Sequence, residues 1–408
     1  MGNTLRKAIS IFMAAALMMC VTGCWDRVEI NNRYFVLAIA IDKFEYSDIQ
    51  QQREEQEEPN GQQQEQDGVQ DPLDSPRNRM VVSVVFPNVG LLKSEGAIVS
   101  EEMKFPLSTV GPNVFEAMRQ LNTRVNGNMF FGHVKAVLLG EGLLSDKKLF
   151  MEVLDELERD HEIGRNIDLL VVKGKAKDAL FIKPLVEPIV GTYLEQIFLQ
   201  RRTGRFHGRK LGEIIVSIHE TGGGLVPRLT VGENEFKVAG SCVIKDHKQR
   251  GWLGELETRA AQWIDNMAGE GVVSVDMQGV SVPFELTGLK RNMEVTRDEG
   301  GNIYLDISLA AEGDIAGYIF QMNREVMDEK FISEAEGAVS REMAAQCLGV
   351  MDKLQNEFGV DIWGIGNHIR KYYPEIWKDV KDNWEQVFPE LRVGISVNVN
   401  VRRIGIIK

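Results

Sequence analysis

Apolar runs alternate with amphipathic segments through the first half of the chain. Continuous apolar runs, the pattern of strands buried on both faces, occupy residues 33–42, 80–87, 133–140 and 167–174. Between them, residues 112–125 and 145–160 carry apolar side chains at helical spacing. Pro112 suits the first turn of one helix and Ser145 the N-cap of the other. Strands that alternate with helices predict a mixed sheet covered by helices.

The second half is richer in strands and contains one long amphipathic segment. Residues 236–256 predict a hairpin that turns near Asp246–Lys248, and more strands follow across 272–312. The segment from about 330 to 358 repeats apolar residues at steps of three and four: Ile332, Ala335, Val339, Met343, Cys347, Val350, Leu354 and Phe358. From Leu391 to Val401 the period is two, which predicts a strand with one buried side.

Together these patterns predict an α+β, multi-domain fold with mixed sheets under helical cover. In the C-terminal part we expect a sheet curled around the long amphipathic helix. TGGGLVPRL (221–229) has three consecutive glycines before Pro227, and predicts a turn or domain junction. A phosphate-binding loop is disfavoured there, because no Lys-Ser/Thr pair follows.

Residues 48–80 break the pattern, since they are rich in Gln and Glu and offer almost nothing to bury. Such a stretch predicts a disordered insert. We therefore divide the chain into a segment 1–23, an N-terminal α/β region at 24–231 and a C-terminal α+β domain at 232–408. The N-terminal region is expected to contain two subdomains in addition to the insert.

The first 23 residues have the features of a bacterial lipoprotein signal peptide. An Arg6-Lys7 pair precedes an apolar run at 8–21, which is short for a membrane-spanning helix. VTGC (21–24) then resembles a lipobox, because small residues suit signal peptidase and a thiol can accept lipid. We predict cleavage between Gly23 and Cys24, with S-diacylglycerol and N-acyl groups on Cys24. At about 0.8 kcal/mol per buried CH₂, two acyl chains hold a protein durably where one does not. The simpler alternative is a secreted protein with Cys24 as a free thiol.

Charge excludes some classes of partner. The 408 residues include 47 Lys+Arg and 60 Asp+Glu, a net charge of −13. Loss of residues 1–23 removes two basic residues and no acid, which leaves −15. Such a surface repels nucleic-acid phosphates, and it offers no polybasic segment for anionic lipid. Beyond residue 23 no apolar stretch reaches the roughly 18–20 residues of a transmembrane helix, so attachment would depend on Cys24.

Residues capable of catalysis are present, but their spacing matches no motif. The histidines are His133, His161, His207, His219, His247 and His368. His161-Glu162 lacks the second histidine of a zinc-protease helix, and no Gly-x-Ser-x-Gly occurs. GIGNHI (364–369) departs from a dinucleotide loop at Ile369. We predict no catalytic residue, no metal site and no cofactor.

The four cysteines match neither a disulfide framework nor a zinc site. Cys20 lies within the predicted signal peptide and is interpreted as part of its apolar region. Cys242 lies in an apolar strand and Cys347 on the long amphipathic stripe, so both are predicted to be small core residues.

Residues 22–43, TGCWDRVEINNRYFVLAIAIDK, resemble the opening of the Ger(x)C spore germination lipoproteins. The resemblance rests here on Cys24, Trp25, Asp26, Glu29, Ile30, Ile41 and Asp42. It continues through the Gly-Gly segment before Pro227 and an Asp-x-x-Gly-x-Gly run at Asp361, Gly364 and Gly366, followed by Trp377 and the terminal strand. It extends from Cys24 to about Arg402, and the 48–80 insert departs from it.

The resemblance implies three mixed α+β domains and the role of a C subunit in a nutrient germinant receptor. It also implies that this subunit is not an enzyme. It further implies a place on the outer face of the inner spore membrane, beside integral-membrane A-type and B-type subunits. Two other classes stay open. A solute-binding lipoprotein of a transport system would need two similar lobes around a cleft, and a lipid-anchored hydrolase would need a clustered nucleophile and base.

Overall fold

The computed structural model describes residues 33–45, 77, 79–88, 103–184, 186–200, 205–206, 208–267, 271–277, 279–315 and 329–404. The predicted signal peptide, Cys20, Cys24, His207 and nearly all of the Gln/Glu-rich insert lie outside them. In the N-terminal half the strands are β1 (Arg33–Phe35), β2 (Ala38–Lys43), β3 (Met80–Pro87), β4 (Lys104–Gly111), β5 (Asn128–Phe130), β6 (Ala136–Gly140) and β7 (Asp168–Val172). The helices there are α1 (Val114–Asn122), α2 (Glu141–Leu144), α3 (Lys147–Arg159), α4 (Ala176–Phe181), α5 (Val190–Gln200) and α6 (Leu211–Thr221).

The remaining strands are β8 (Gly223–Val231), β9 (Phe236–Lys245), β10 (Lys248–Leu253), β11 (Gly271–Met277), β12 (Val280–Arg297), β13 (Ile303–Ile315) and β14 (Arg392–Ile404). The remaining helices are α7 (Glu255–Ile264), α8 (Glu329–Asp352), α9 (Ile365–Tyr372), α10 (Pro374–Val380) and α11 (Trp384–Glu390). A π-helical turn, Lys353–Phe358, continues α8. The predicted α+β class with mixed sheets is confirmed.

Eight of the described strands form a large mixed sheet in the order β10-β9-β8-β7-β6-β2-β3-β4. Its centre, β2-β6-β7-β8, is parallel, and antiparallel pairs extend it at both edges. The central strands are buried on both faces, as their continuous apolar runs predict. In β2, for example, Ile39 faces a core covered by α1, α3 and α6, whereas Ala40 faces a second core beneath α4 and α5.

The apolar run at 33–42 predicts one strand, but the structure divides it between two sheets. β1 pairs in parallel with β5 as a separate two-stranded sheet. The change of partner occurs at adjacent residues, because Val36 N donates to Phe130 O and Leu37 N donates to Val85 O.

Two predicted helix starts are also displaced by a residue or more. The carboxylate of Asp146, rather than Ser145, accepts the N–H of Leu149 and caps α3. Asn113 accepts the N–H of Glu116 and caps α1, so Pro112 lies before the cap instead of in the first turn. In both places a neighbouring Asx side chain is the better placed acceptor.

Within the described residues, the C-terminal half contains a small four-stranded sheet in the order β11-β12-β13-β14. α8 packs on it through a buried stripe that includes Val339, Met343 and Cys347. The predicted apolar period is thereby confirmed, although the last six residues of the segment wind as the π-helical turn. The curled shape of the sheet stays a prediction.

A turn or domain junction is predicted at 221–229. The turn is wrong beyond Gly222, because β8 occupies Gly223–Val231. Gly222, at φ 72°, ends α6, and β8 then begins at Gly223. A Cβ at Gly223 would lie 2.6 Å from Ile244 O, so this glycine permits close strand approach. The domain boundary proposed at 231–232 falls between β8 and β9, which pair in the large sheet; as a division of the sequence it stays a prediction.

Candidate functional site

The predicted lipidation site, Cys24, lies outside the described residues, as do Trp25, Asp26, Glu29 and Ile30. The structure therefore describes the part of the molecule to which that segment connects. This entry point, at β1, is built from aromatic side chains on two pairs of strands, β1 with β5 and β3 with β4.

The aromatic cluster at the entry point has two branches. On one, Tyr34 packs on Phe86, with ring centroids 4.9 Å apart, and Phe86 packs on Phe105 at 5.8 Å. On the other, Phe35 lies edge-on to Phe130 at 5.8 Å. His133 approaches both rings of the second branch, at 5.1 and 5.5 Å. The Arg33 guanidinium lies 4.9 Å from the centroid of Phe130. Sequence reasoning missed this cluster, because its members are contributed by four separate segments.

Asp42, a residue on which the resemblance rests, has a structural role at the opposite end of β2. It is buried, and its carboxylate accepts the N–H groups of Ala176 at 2.6 Å and Lys177 at 2.8 Å, which begin α4. A negative charge at a helix N-terminus satisfies free backbone donors and complements the helix dipole. A Cβ at Gly140 would lie 1.9 Å from Asp42 Oδ1, so this position requires glycine.

Asp361 repeats this device in the C-terminal half. Its Oδ1 accepts the N–H of Ile365 at 2.9 Å, and its Oδ2 accepts the N–H of Gly366 at 2.9 Å and Trp384 Nε1–H at 3.3 Å. Burial raises the pKa of Asp361, against the effect of these donors. Gly364 has φ 66°, and a Cβ at Gly366 would lie 2.8 Å from Trp384 Nε1. The Asp-x-x-Gly-x-Gly motif therefore forms the start of α9, and Trp384 packs against it.

Trp377, the remaining motif residue, stacks on this arrangement, with its ring centroid 5.8 Å from that of Trp384. The contacts of Asp42, Asp361, Gly366 and Trp377 therefore give these motif residues structural roles, as helix caps and packing partners. Among the described residues, no group of three or more His, Cys, Asp or Glu side chains is arranged to hold a metal ion.

The two described cysteines are core residues, as predicted. Cys242 and Cys347 are free and fully buried. Burial raises the pKa of Cys347 to about 12 and that of Cys242 further still. Such thiols are poor nucleophiles because the reactive form is the thiolate.

A cavity of about 240 Å³ lies beside the start of α1. Four of its lining residues are apolar, including Phe115, and the other four are Glu156, Arg159, Asp160 and His161. Glu156 already accepts the N–H groups of Val114 at 2.7 Å and Phe115 at 3.3 Å, and burial raises its pKa. Its carboxylate therefore serves α1 as a cap.

No helix in the described parts of the chain combines the length and apolarity needed to cross a membrane.

Two family models match this chain, one after the other. Residues 26–231 match the family model "Spore germination protein N-terminal domain". Residues 239–405 match "Spore germination B3/ GerAC like, C-terminal". The two models occur in that order and leave only seven residues between them.

Two relatives, both spore germination proteins, match this chain over nearly its whole length and theirs. "Spore germination protein YndF" of Bacillus subtilis (strain 168) is 26% identical over 418 residues, covering 99% of this chain and 98% of that protein. "Spore germination protein B3" of the same organism is 22% identical over 413 residues, with 99% of each covered. The crystal structure of the GerBC protein superimposes with a TM-score of 0.56 at 20% identity, covering 80% of this chain and 94% of that one. At that identity the superposition shows a shared fold.

Proposed function

The chain belongs to the Ger(x)C family of spore germination proteins, and on that premise we propose that it is the lipid-anchored C subunit of a nutrient germinant receptor. In this proposal Cys24 carries the lipid, and the folded part stands on the outer face of the inner spore membrane. Its partners are integral-membrane subunits of the A and B types, and the complex responds to a nutrient by starting germination.

The observation that carries the proposal is a match to both family models, in order, across nearly the whole chain. The VTGC sequence at 21–24 supports the anchor, because it follows a basic pair and an apolar run at the spacing of a lipoprotein signal. An anchor confines the folded part to two dimensions, which raises its effective concentration beside membrane partners without requiring a tight contact.

The proposal is tested by Cys24→Ala, with Cys20→Ala as the matched control four residues earlier. We expect Cys24→Ala to abolish the lipid mass on the mature chain, to release processed protein from spore membranes and to impair nutrient germination. Cys20→Ala should keep the lipid mass, the membrane retention and the nutrient germination of the wild type, because Cys20 belongs to the segment that is removed.

Membrane fractionation, intact-mass analysis and germination assays read these outcomes separately. A chain that keeps residues 1–23 stays on the membrane through its apolar run, so mass must accompany fractionation. A processed wild-type chain that begins at Cys24, carries no lipid and is still retained on the membrane would refute the anchor.

A solute-binding lipoprotein is the alternative from another class. Such proteins need two similar lobes, whereas the described sheets differ in strand number and order. Calorimetry with amino acids and sugars on the purified protein separates the two, because tight binding by this chain alone would favour the alternative.

A further inference from the structure

Exposed apolar side chains gather at the end of the large sheet where the chain enters the fold. Phe105 is 45% exposed, Phe181 41% and Val186 88%. Large apolar side chains exposed singly are ordinary, but a group at one end of a fold indicates a contact surface.

Contacts between distant segments place these residues at the same end. Lys104 Nζ donates to Ile182 O, so the start of β4 and the end of α4 lie at the same end of the sheet, with Phe105 on the face of Phe86 and Phe181 on the opposite face, which α4 covers. A Cβ at Gly191 would lie 2.2 Å from Leu37 O, so the start of α5 touches the start of β2. Val186 lies between Ile182 and Gly191 in the chain, and both of these residues are held at this end.

The aromatic cluster of the entry point borders the same surface. Phe105 belongs to it through Phe86, and the half-buried Phe35 and Phe130 lie on its other branch. We call Phe35, Phe105, Phe130, Phe181 and Val186 the entry rim. Basic groups lie beside the rim, since Arg33 stacks on Phe130 and Lys183 is exposed next to Phe181.

The distance from the rim to the proposed anchor is short. Nine peptide bonds separate Cys24 from Arg33, so the connection spans at most about 32 Å in any conformation. β2, which continues the chain from β1, lies two strand spacings from β4 and five from β10, or about 10 and 24 Å. Of the two edges, the one beside the rim is therefore the nearer to the point where the segment from Cys24 enters the fold.

We propose that the entry rim rests on the headgroup region of a phospholipid bilayer. The inference depends on the proposed acylation of Cys24 and adds a second contact to it. Aromatic rings flanked by Arg and Lys suit this region, where rings lie at the headgroup level and cations meet phosphate. The rim's basic groups also contrast with the net charge of −13 on the whole chain. Because the anchor keeps the rim close, a weak surface contact is enough to orient the protein.

The test measures the depth of three labelled positions in the full-length lipidated protein, reconstituted in phospholipid vesicles without other proteins. Phe105→Cys reports the rim. Leu348→Cys is the control. Leu348 lies on α8, which packs on the C-terminal sheet, and its side chain is 43% exposed, nearly the same as that of Phe105. Thiol labelling is selective, since Cys242 and Cys347 are buried and Cys24 would carry the lipid. Phe181→Cys provides a second rim position in case the first variant folds poorly.

Each position carries an environment-sensitive fluorophore, and the vesicles contain lipid with a nitroxide on the headgroup. We expect quenching several-fold stronger at Phe105→Cys and Phe181→Cys than at Leu348→Cys. Equal, weak quenching at all three positions on protein that floats with the vesicles would overturn the rim contact and leave the anchor intact.

Two further outcomes also decide the matter. Protein that does not float with the vesicles would overturn the anchor, and the rim assignment with it. The labels at the rim positions could instead be shielded only in native membranes that contain the other receptor subunits. That result would overturn the lipid assignment and would identify the rim as a protein-docking surface.

Discussion

Removal of the Asp361 carboxylate should destabilise the C-terminal half more than any change to an exposed acid there. In Asp361→Ala, the backbone N–H groups of Ile365 and Gly366 lose their acceptor, and so does the indole N–H of Trp384. A buried donor left without a partner costs about 1–3 kcal/mol. Since the indole bond is the longest at 3.3 Å, we expect a total loss of about 3–5 kcal/mol in the free energy of unfolding.

Asp361→Asn refines the same test. The amide keeps one oxygen but directs its NH₂ group at donors on the other side, so we expect an intermediate loss of about 1–3 kcal/mol. Asp379→Asn is the control, because Asp379 is 53% exposed and pairs with Arg297 at 2.6 Å. An exposed pair of this kind is worth about 0–1 kcal/mol.

Equilibrium urea unfolding, followed by tryptophan fluorescence, measures these differences. Trp363, Trp377 and Trp384 lie in or against the C-terminal core, so their emission reports its unfolding. The reasoning is refuted if Asp361→Ala unfolds at the same urea concentration as Asp379→Asn. In that event the three hydrogen bonds would contribute no more than a surface ion pair.

Two further predictions concern the N-terminal half. Gly140→Ala should lower the melting temperature, because its Cβ would lie 1.9 Å from Asp42 Oδ1 and crowding of this kind typically costs about 1–3 kcal/mol. Gly142→Ala, with no neighbour closer than 3.9 Å, should be neutral or slightly stabilising in a thermal melt, and equal losses in both variants would contradict the packing argument. Burial, with a contribution from Lys183, lowers the pKa of Lys104 from 10.5 to about 8. Between pH 8 and 10.5 the unfolded chain therefore holds this proton more tightly than the folded chain, so stability should rise with pH across that window. Urea unfolding at several pH values should show a smaller rise in Lys104→Met than in the exposed-lysine control Lys148→Met, and identical pH profiles would reject the assignment.

Local pattern predicted the elements well where burial is uniform along the segment. The strands at 80–87, 133–140 and 167–174 and the helix beginning near 330 occur where their periodicity places them. Pattern failed where the decisive partner is distant in sequence. The break at Val36 and Leu37 depends on carbonyls of Phe130 and Val85, and no periodicity within 33–42 reports them.

The motif aspartates illustrate the same limit in the candidate site. Asp42 accepts from Ala176, 134 residues away, so its capping role could not be seen from the sequence around it. Asp361 lies four residues before Ile365, and the spacing alone could have suggested a helix cap. The contribution of Trp384 and the need for glycine at 366 come from tertiary packing. The entry rim likewise joins segments that only the sheet order brings together.

Strands β8–β10 explain how the two family regions form one body. On one face of these strands Val226 and Ile244 belong to a core of the large sheet. On the other face Leu225 and Val243 belong to the C-terminal core, which also contains α8. A chain that ended after β8 would leave one edge of that strand unpaired and Leu225 without its cover. Backbone hydrogen bonds therefore run without interruption from β4, beside the entry rim, to β10, against the C-terminal core. If the rim is oriented by the bilayer, the orientation of the C-terminal core is fixed with it, because both are attached to the same sheet.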